Sequence, residues 1–181
     1  MLTVREARLS DAEQIAKIHD ETWKLTYGPI IADEDLEQVM TYDTRKIMWE
    51  TTLSSQKVQQ YVYVAEQDGQ LLGFISGGKQ RAEQFEFDAE IYDIYVLEKA
   101  QGQKVGHELL KHFVKKCVED GYQSLLVWIL TANPFGRFYV RYGARKVEAE
   151  NTTIGSGTYE ETAFGWKNLK ELQQELMQAS L

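Results

Sequence analysis

Between a strand-like run ending at Val96 and a helical pattern beginning near Val105 stands the segment Gln101-Gly102-Gln103-Lys104-Val105-Gly106. Glycine in such a loop lets the backbone approach a ligand closely, because no Cβ intervenes. The first turn of the following helix adds unpaired N–H groups and the positive end of the helix dipole, which together form an anion site. Lys104 and His107 would add positive charge beside it, as would Lys99. The segment lacks the Gly-Lys-Ser/Thr ending of a P-loop and the glycine spacing of the dinucleotide fingerprint, so both of those nucleotide sites fit poorly.

Further along, Asn133-Pro134 leads into Phe138-Tyr139 and Tyr142-Gly143. On its own Asn133 reads as the cap of a short helix, and Tyr139 as an aromatic on that helix's buried face. Two carboxylates, Glu90 and Asp93, lie in the run Ala89–Val96 (AEIYDIYV). Strict alternation puts them on opposite faces of a sheet, and a bulge would change that. His19, His107 and His112 show no metal-ligand spacing, so no metal is expected. Cys117 falls on an apolar helical stripe and reads as core, with no second cysteine for an internal disulfide.

These residues need elements to position them. A strand at 2–7 precedes a helix whose start is marked by Ser10 and Glu13 in capping-box spacing, and Gly28-Pro29 ends it. A second helical region spans about 33–53, with a break expected near Tyr42-Asp43. The period then changes to two: Tyr61–Glu66, a turn at Asp68-Gly69, and Leu71–Ser76 read as a hairpin. A polar stretch, 77–86, separates this hairpin from the strand Ala89–Val96. Val105, Leu109, Leu110, Phe113, Val114 and Cys117 mark one buried face of the helix after the anion loop. Strands at 124–130, 144–150 and 159–166 follow, with Gly155-Ser156-Gly157 between the last two and a closing helix at 168–177. This order predicts an α/β fold: a mixed, mostly antiparallel sheet of about seven strands with helices on both faces. The 181 residues fit one domain, 1–181.

Composition sets the bounds. A net charge of −8 argues against nucleic acid as the main partner, since phosphate binding needs a basic face. No apolar run is long enough to cross a bilayer, and the N-terminus shows no signal-peptide core, so a cytoplasmic protein is expected. Charge is uneven: residues 99–116 carry five lysines against Glu108, and residues 83–93 carry five acids, Glu83, Glu86, Asp88, Glu90 and Asp93, with no base. Such runs usually form solvated surface; here they would also suit an anionic ligand beside a cationic one.

The run AEIYDIYVLEKAQGQKVGHELL resembles the central motif of the GNAT acetyltransferase superfamily, Gln/Arg-x-x-Gly-x-Gly/Ala on a strand, loop and helix. Gln101 and Gly106 match its first and last positions, whereas Lys104 stands where the family usually has glycine. NPFGRFYVRYGARKVE is similar to the second signature, through Asn133, Phe138-Tyr139 and Tyr142-Gly143. The resemblance covers essentially the whole chain. It implies the acyl-CoA N-acyltransferase fold, with acetyl-CoA as co-substrate lying in a V-shaped opening between the fourth and fifth strands.

By that resemblance, the backbone of Ile94 and Val96 would bond the pantetheine arm. The N–H groups of Gln101, Gly102, Gln103, Lys104, Val105 and Gly106 would hold the pyrophosphate. Asn133 would contact pantetheine or shape the acetyl site, and Tyr139 would protonate the departing thiolate. A strand N–H would polarise the acetyl carbonyl. Glu90 is the expected base for the acceptor ammonium, with Asp93 second and water a third route. The acceptor, a small-molecule or peptide amine, would bind near the first two helices, walled by Trp23, Tyr27 and Trp49. The acidic stretch and these rings would favour a cationic amine. A homodimer is compatible with the family. The competing expectation is an idle acyl-CoA-binding module on the same fold, for which Lys104 is the main argument.

Overall fold

A computed structural model describes residues 1–39, 41–55, 60–81 and 85–179. Seven strands form one sheet in the order β1-β2-β3-β4-β5-β7-β6. They are β1 (Thr3–Glu6), β2 (Gln60–Gln67), β3 (Gln70–Lys79), β4 (Ala89–Val96), β5 (Leu125–Leu130), β6 (Arg145–Ile154) and β7 (Gly157–Trp166). Every neighbouring pair is antiparallel except β4 and β5, which run parallel. The helices are α1 (Ala12–Tyr27), α2 (Asp33–Leu36), α3 (Tyr42–Ser54), α4 (Val105–Glu119), α5 (Gly136–Arg141) and α6 (Leu169–Gln178).

Both faces of the sheet are covered, as the order of elements predicts. On one face α4 sets Leu109, Leu110 and Phe113 against Ile75, Ile91, Leu125 and Val127, with Leu172 and Leu176 of α6 joining them. On the other, Ile15 and Ile18 of α1 and Trp49 of α3 pack on Val62, Val64 and Phe74. Among the described residues no helix is long and apolar enough to cross a membrane.

Local patterns account for most boundaries. The β2–β3 turn has positive φ at both Asp68 (52°) and Gly69 (78°), the geometry that a two-residue hairpin of right-twisted strands requires. The helical region after Gly28 is broken, as expected, into α2 and α3. The start of α1 differs from the predicted Ser10–Glu13 box. A short 3-10 turn at Leu9–Asp11 comes first, and Asp11 accepts the Arg8 N–H at 2.7 Å. Arg5 supplies the reason: its guanidinium holds Asp11 at 2.8 Å and Glu66 at 2.7 Å, joining β1, the helix entrance and β2. Glu13 pairs instead with Lys17 at 3.0 Å.

β3 also runs on through Gly77 and Gly78 to Lys79, beyond the expected end at Ser76. Glycines normally weaken a strand, but a Cβ at Gly77 would collide with the Glu90 carbonyl and the Phe113 ring. Tertiary packing therefore selects the residue. The β6–β7 hairpin is longer than predicted as well, and α2 grips its tip. Asp35 accepts the Ser156 N–H at 2.9 Å and the Tyr159 hydroxyl at 2.6 Å, and side chains at Gly155 or Gly157 would occupy the same space.

Candidate active site

β4 and β5 pair over only three positions, Ala89↔Leu125, Glu90↔Leu126 and Ile91↔Val127. Beyond Ile91 the strands separate, although β4 continues to Val96 and β5 to Leu130. Backbone groups of β4 that would bond a fifth strand thus face open space. A cavity of about 680 Å³ occupies the gap, lined by Ile91–Val96, Val127–Ile129, the end of α1 and the segment Ala132–Phe135 with Tyr139.

A bulge sits at the mouth of this split. Opposite β3, Ser76 pairs with Asp93 but Gly77 pairs with Ile91, so Tyr92 is an extra residue on β4. The bulge resets the alternation: Ile91 and Ile94 both pack on the α4 side. Glu90 and Asp93, each one position away from these, therefore share the opposite face, contrary to strict alternation. Their surroundings then separate them. Asp93 lines the cavity. Its Oδ2 accepts the Ser76 hydroxyl at 2.9 Å, and its Oδ1 faces His19 Nε2 at 3.9 Å. His19 is buried, stacks on Tyr95 at 5.0 Å, and accepts the Trp49 indole N–H on Nδ1 at 3.1 Å. Accepting on Nδ1 leaves the neutral ring's proton on Nε2, toward Asp93. Burial lowers the His19 pKa to about 4, so the ring is neutral at pH 7.

Glu90 is 3% exposed and does not line the cavity. One of its oxygens accepts the Arg81 N–H at 2.9 Å and the other the Arg81 guanidinium at 3.0 Å. A carboxylate held on both oxygens by one arginine, outside the cavity, is badly placed to take a substrate proton, so the geometry speaks against the expectation for Glu90. The rest of the acidic stretch is partly committed too, Asp88 accepting the Gln123 N–H at 2.8 Å. Glu83 lies outside the described residues.

The loop before α4 has the expected form. Residues 101–104 lead directly into α4, and Lys104 is its N-cap with φ 61° and ψ 13°. A left-handed residue is what glycine usually supplies, so lysine here preserves the loop's shape at a cost of about 1 kcal/mol. Among the described residues, the N–H groups of Gly102 through Gly106 take no backbone acceptor. Gly102, Lys104, Val105 and Gly106 line a second cavity of about 600 Å³, which shares Val96, Gln101 and Phe135 with the first. Lys104 and Arg141 line it, and neither pairs with a carboxylate among the described residues. Lys99 is exposed next to the loop.

One expectation of positive charge fails, and the lysine run on α4 is surface, as such runs usually are. His107 is buried, its pKa lowered by burial, and its ring is engaged by the Tyr142 hydroxyl at 2.8 Å and by the Leu176 carbonyl. It locks α4 to α5 and α6 as a neutral ring. Lys111, Lys115 and Lys116 pair with Glu108, Glu119 and Asp120 along α4, so they belong to that helix's surface.

Tyr139 and Asn133 both reach the first cavity. Tyr139 is buried among Phe135, Phe138 and Trp166, and its hydroxyl makes no hydrogen bond within the described residues. Burial, with Tyr27 and Asp93 nearby, pushes its phenol far above the ordinary value. Asn133 does two jobs: Oδ1 accepts the Phe135 N–H at 3.0 Å, and Nδ2 donates to the Tyr27 hydroxyl at 3.2 Å. Tyr27 is in turn hydrogen-bonded to Tyr95.

Of the expected aromatic walls, Tyr27 lines the cavity; Trp49 is 1% exposed and is core beneath His19. Trp23 lies between Tyr27, tilted against it at 5.0 Å, and Arg45 at 5.2 Å, outside the lining. Sequence reading missed Ser76, His19, Tyr95 and Arg81, because their roles arise from cross-strand and helix–sheet contacts. Arg141, four residues beyond Arg137 on a short helix, carried no local signal either. Cys117 is buried with its thiol pushed up to about 12, in keeping with a core residue.

A family model described as acetyltransferase (GNAT) family matches residues 14–144. An uncharacterized N-acetyltransferase of Bacillus subtilis, YuaI, is 34% identical over 174 residues, 96% of this chain and 97% of that one. A spermidine N(1)-acetyltransferase of Thermoplasma acidophilum is 23% identical and covers 83% of this chain and 92% of its own length. Among solved structures, the PaiA N-acetyltransferase of Thermoplasma acidophilum in complex with coenzyme A superposes with a TM-score of 0.73. That match covers 92% of this chain and 99% of the other at 22% identity, a likeness of fold.

Proposed function

The chain belongs to the acetyltransferase (GNAT) family, and from that premise we propose that it moves the acetyl group of acetyl-CoA directly to a primary amine. The observation that carries this reading is the β4–β5 split with Asp93 and Tyr139 on its walls and the anion loop at its end.

The loop N–H groups and the α4 dipole hold the pyrophosphate. The unpaired edge of β4, at Ile94 and Val96, bonds the pantetheine arm. The thioester then lies near the bulge, where a β4 N–H polarises its carbonyl. Asp93, held by Ser76, draws in the acceptor ammonium and takes its proton. The neutral amine attacks the carbonyl carbon, the C–N bond forms, and the C–S bond breaks. Tyr139 donates its proton to the leaving thiolate and regains one from the acylated nitrogen. Its raised pKa keeps it protonated, and the same dry surroundings raise the basicity of the thiolate beside it, so the transfer stays matched. No step needs a cysteine nucleophile or a metal. A reducing, cytoplasmic location suits the free Cys117 and the co-substrate.

Release of free CoA thiol from acetyl-CoA across a panel of amines tests the reading. Binding of CoA with no turnover of any amine selects the idle-module alternative. In the best assay, Tyr139→Phe is expected to lower kcat about 100-fold with CoA binding retained; full turnover by that variant would exclude the proton-donor role. Asp93→Asn is expected to cost at least as much, while Glu90→Gln acts mainly on stability by releasing Arg81.

A further inference from the structure

Past Asp93, the first cavity continues toward the C-terminal end of α1 and the turn after it. Leu25 and Ile30 line it from α1 and the turn after it, and Tyr92 and Trp128 line it from strands β4 and β5. Leu25 is 54% exposed, an open apolar side chain. Trp128 alternates with the buried Val127 and Ile129, which face α4, so it shares the sheet face of Asp93, and its ring meets Phe85 in a tilted contact at 5.8 Å. Among the described residues, Asp93 is the only charged side chain in the lining.

We infer that the acceptor carries one ammonium, placed at Asp93, on an apolar or aromatic body that lies between Leu25 and Trp128. The inference rests on the acetyltransferase reading above and narrows its substrate. A second ammonium would have to leave water beside Leu25 and Ile30 with no second carboxylate in the cavity lining to meet it. Of the other acids around the split, Asp20 is paired with Lys24 at 2.7 Å and Arg45 at 2.8 Å, and Glu90 with Arg81 at 3.0 Å; Glu161 and Glu150, on the sheet face of Trp128, and Glu21, one turn before Leu25, stay outside the cavity lining. Arg81 also covers one face of Tyr92 at 4.0 Å, so that ring is not free on both sides for a cation. A flat or branched hydrocarbon, by contrast, loses little on entering and gains contact with Trp128.

The experiment compares 2-phenylethylamine and 3-methylbutylamine with putrescine and spermidine as acceptors for the full-length protein, following thiol release. The monoamines are expected to exceed spermidine in kcat/KM by about tenfold or more. In Leu25→Asp, a surface change that leaves the core intact, the ratio of spermidine to phenylethylamine should rise about tenfold. Trp128→Ala should raise KM for phenylethylamine with little change in KM for acetyl-CoA. Spermidine or putrescine matching the monoamines in the wild type overturns the inference while leaving the transferase reading in place. Turnover of no amine at all overturns both.

Discussion

At the scale of single residues, the consequential positions are those where side-chain identity and environment disagree. Lys104 holds a left-handed backbone that favours glycine. Lys104→Gly is expected to gain up to about 1 kcal/mol in stability, read by urea denaturation, because relief of the backbone outweighs the added freedom of the unfolded chain. The same variant should weaken the salt dependence of CoA binding by removing one cation from the second cavity. His19 supplies a test of pH. Its folded pKa, about 4, lies below the ordinary value, so the unfolded chain binds a proton that the native ring refuses. Stability from His19 is therefore fully present above about pH 6.5 and is lost as pH falls toward 4. Between pH 7 and pH 5 that loss is about 2 kcal/mol, and His19→Asn should flatten the difference in denaturation midpoints. Asp93, Asp20, Arg45 and the Trp49 indole are the charged and polar groups facing the ring, and an unchanged slope in the variant would assign the pH dependence to them.

At the scale of elements, the β4 bulge matters most. One extra residue, Tyr92, turns Asp93 onto the face of Glu90 and ends the β4–β5 ladder just where the cavity opens. Gly77 permits this, since nothing larger fits between the Glu90 carbonyl and Phe113. Gly77→Ala should cost about 3 kcal/mol by chemical denaturation, in the range of overpacked cores. A neutral result would mean that α4 can move away from β3 without loss. The α2 grip on the β6–β7 tip works at the same scale: Asp35 fixes the segment just after Pro29 and Ile30, which wall the acceptor end.

At the scale of the molecule, the two halves of the sheet are joined by three registered pairs between β4 and β5 and by the helices packed across them. A ligand filling the split bridges both halves. Coenzyme A at about 100 times its Kd should add about 2.7 kcal/mol to the stability of the native state, seen as a rise in Tm. Nonbinding would leave Tm where it was and remove the basis for the co-substrate site.

The family, the order of elements, the seven-stranded mixed sheet and the glycine-bearing loop before α4 are legible in the chain alone. It also singled out Asn133 and Tyr139. All of these are written in local spacing: period two or period 3.6, turn residues, and two motifs at a set separation. It pointed to Glu90 for the base, because along the chain Glu90 and Asp93 are two carboxylates in one strand with nothing to separate them. What separates them is tertiary: Glu90 pairs with Arg81 nine residues away, and Asp93 with Ser76 seventeen away at the cavity wall. The tertiary structure likewise turned His107 from a charge into a lock, and Trp49 from a wall into core. A residue's proton affinity and direction depend on what other strands and helices bring against it, and that long-range register is absent from the spacing of its neighbours.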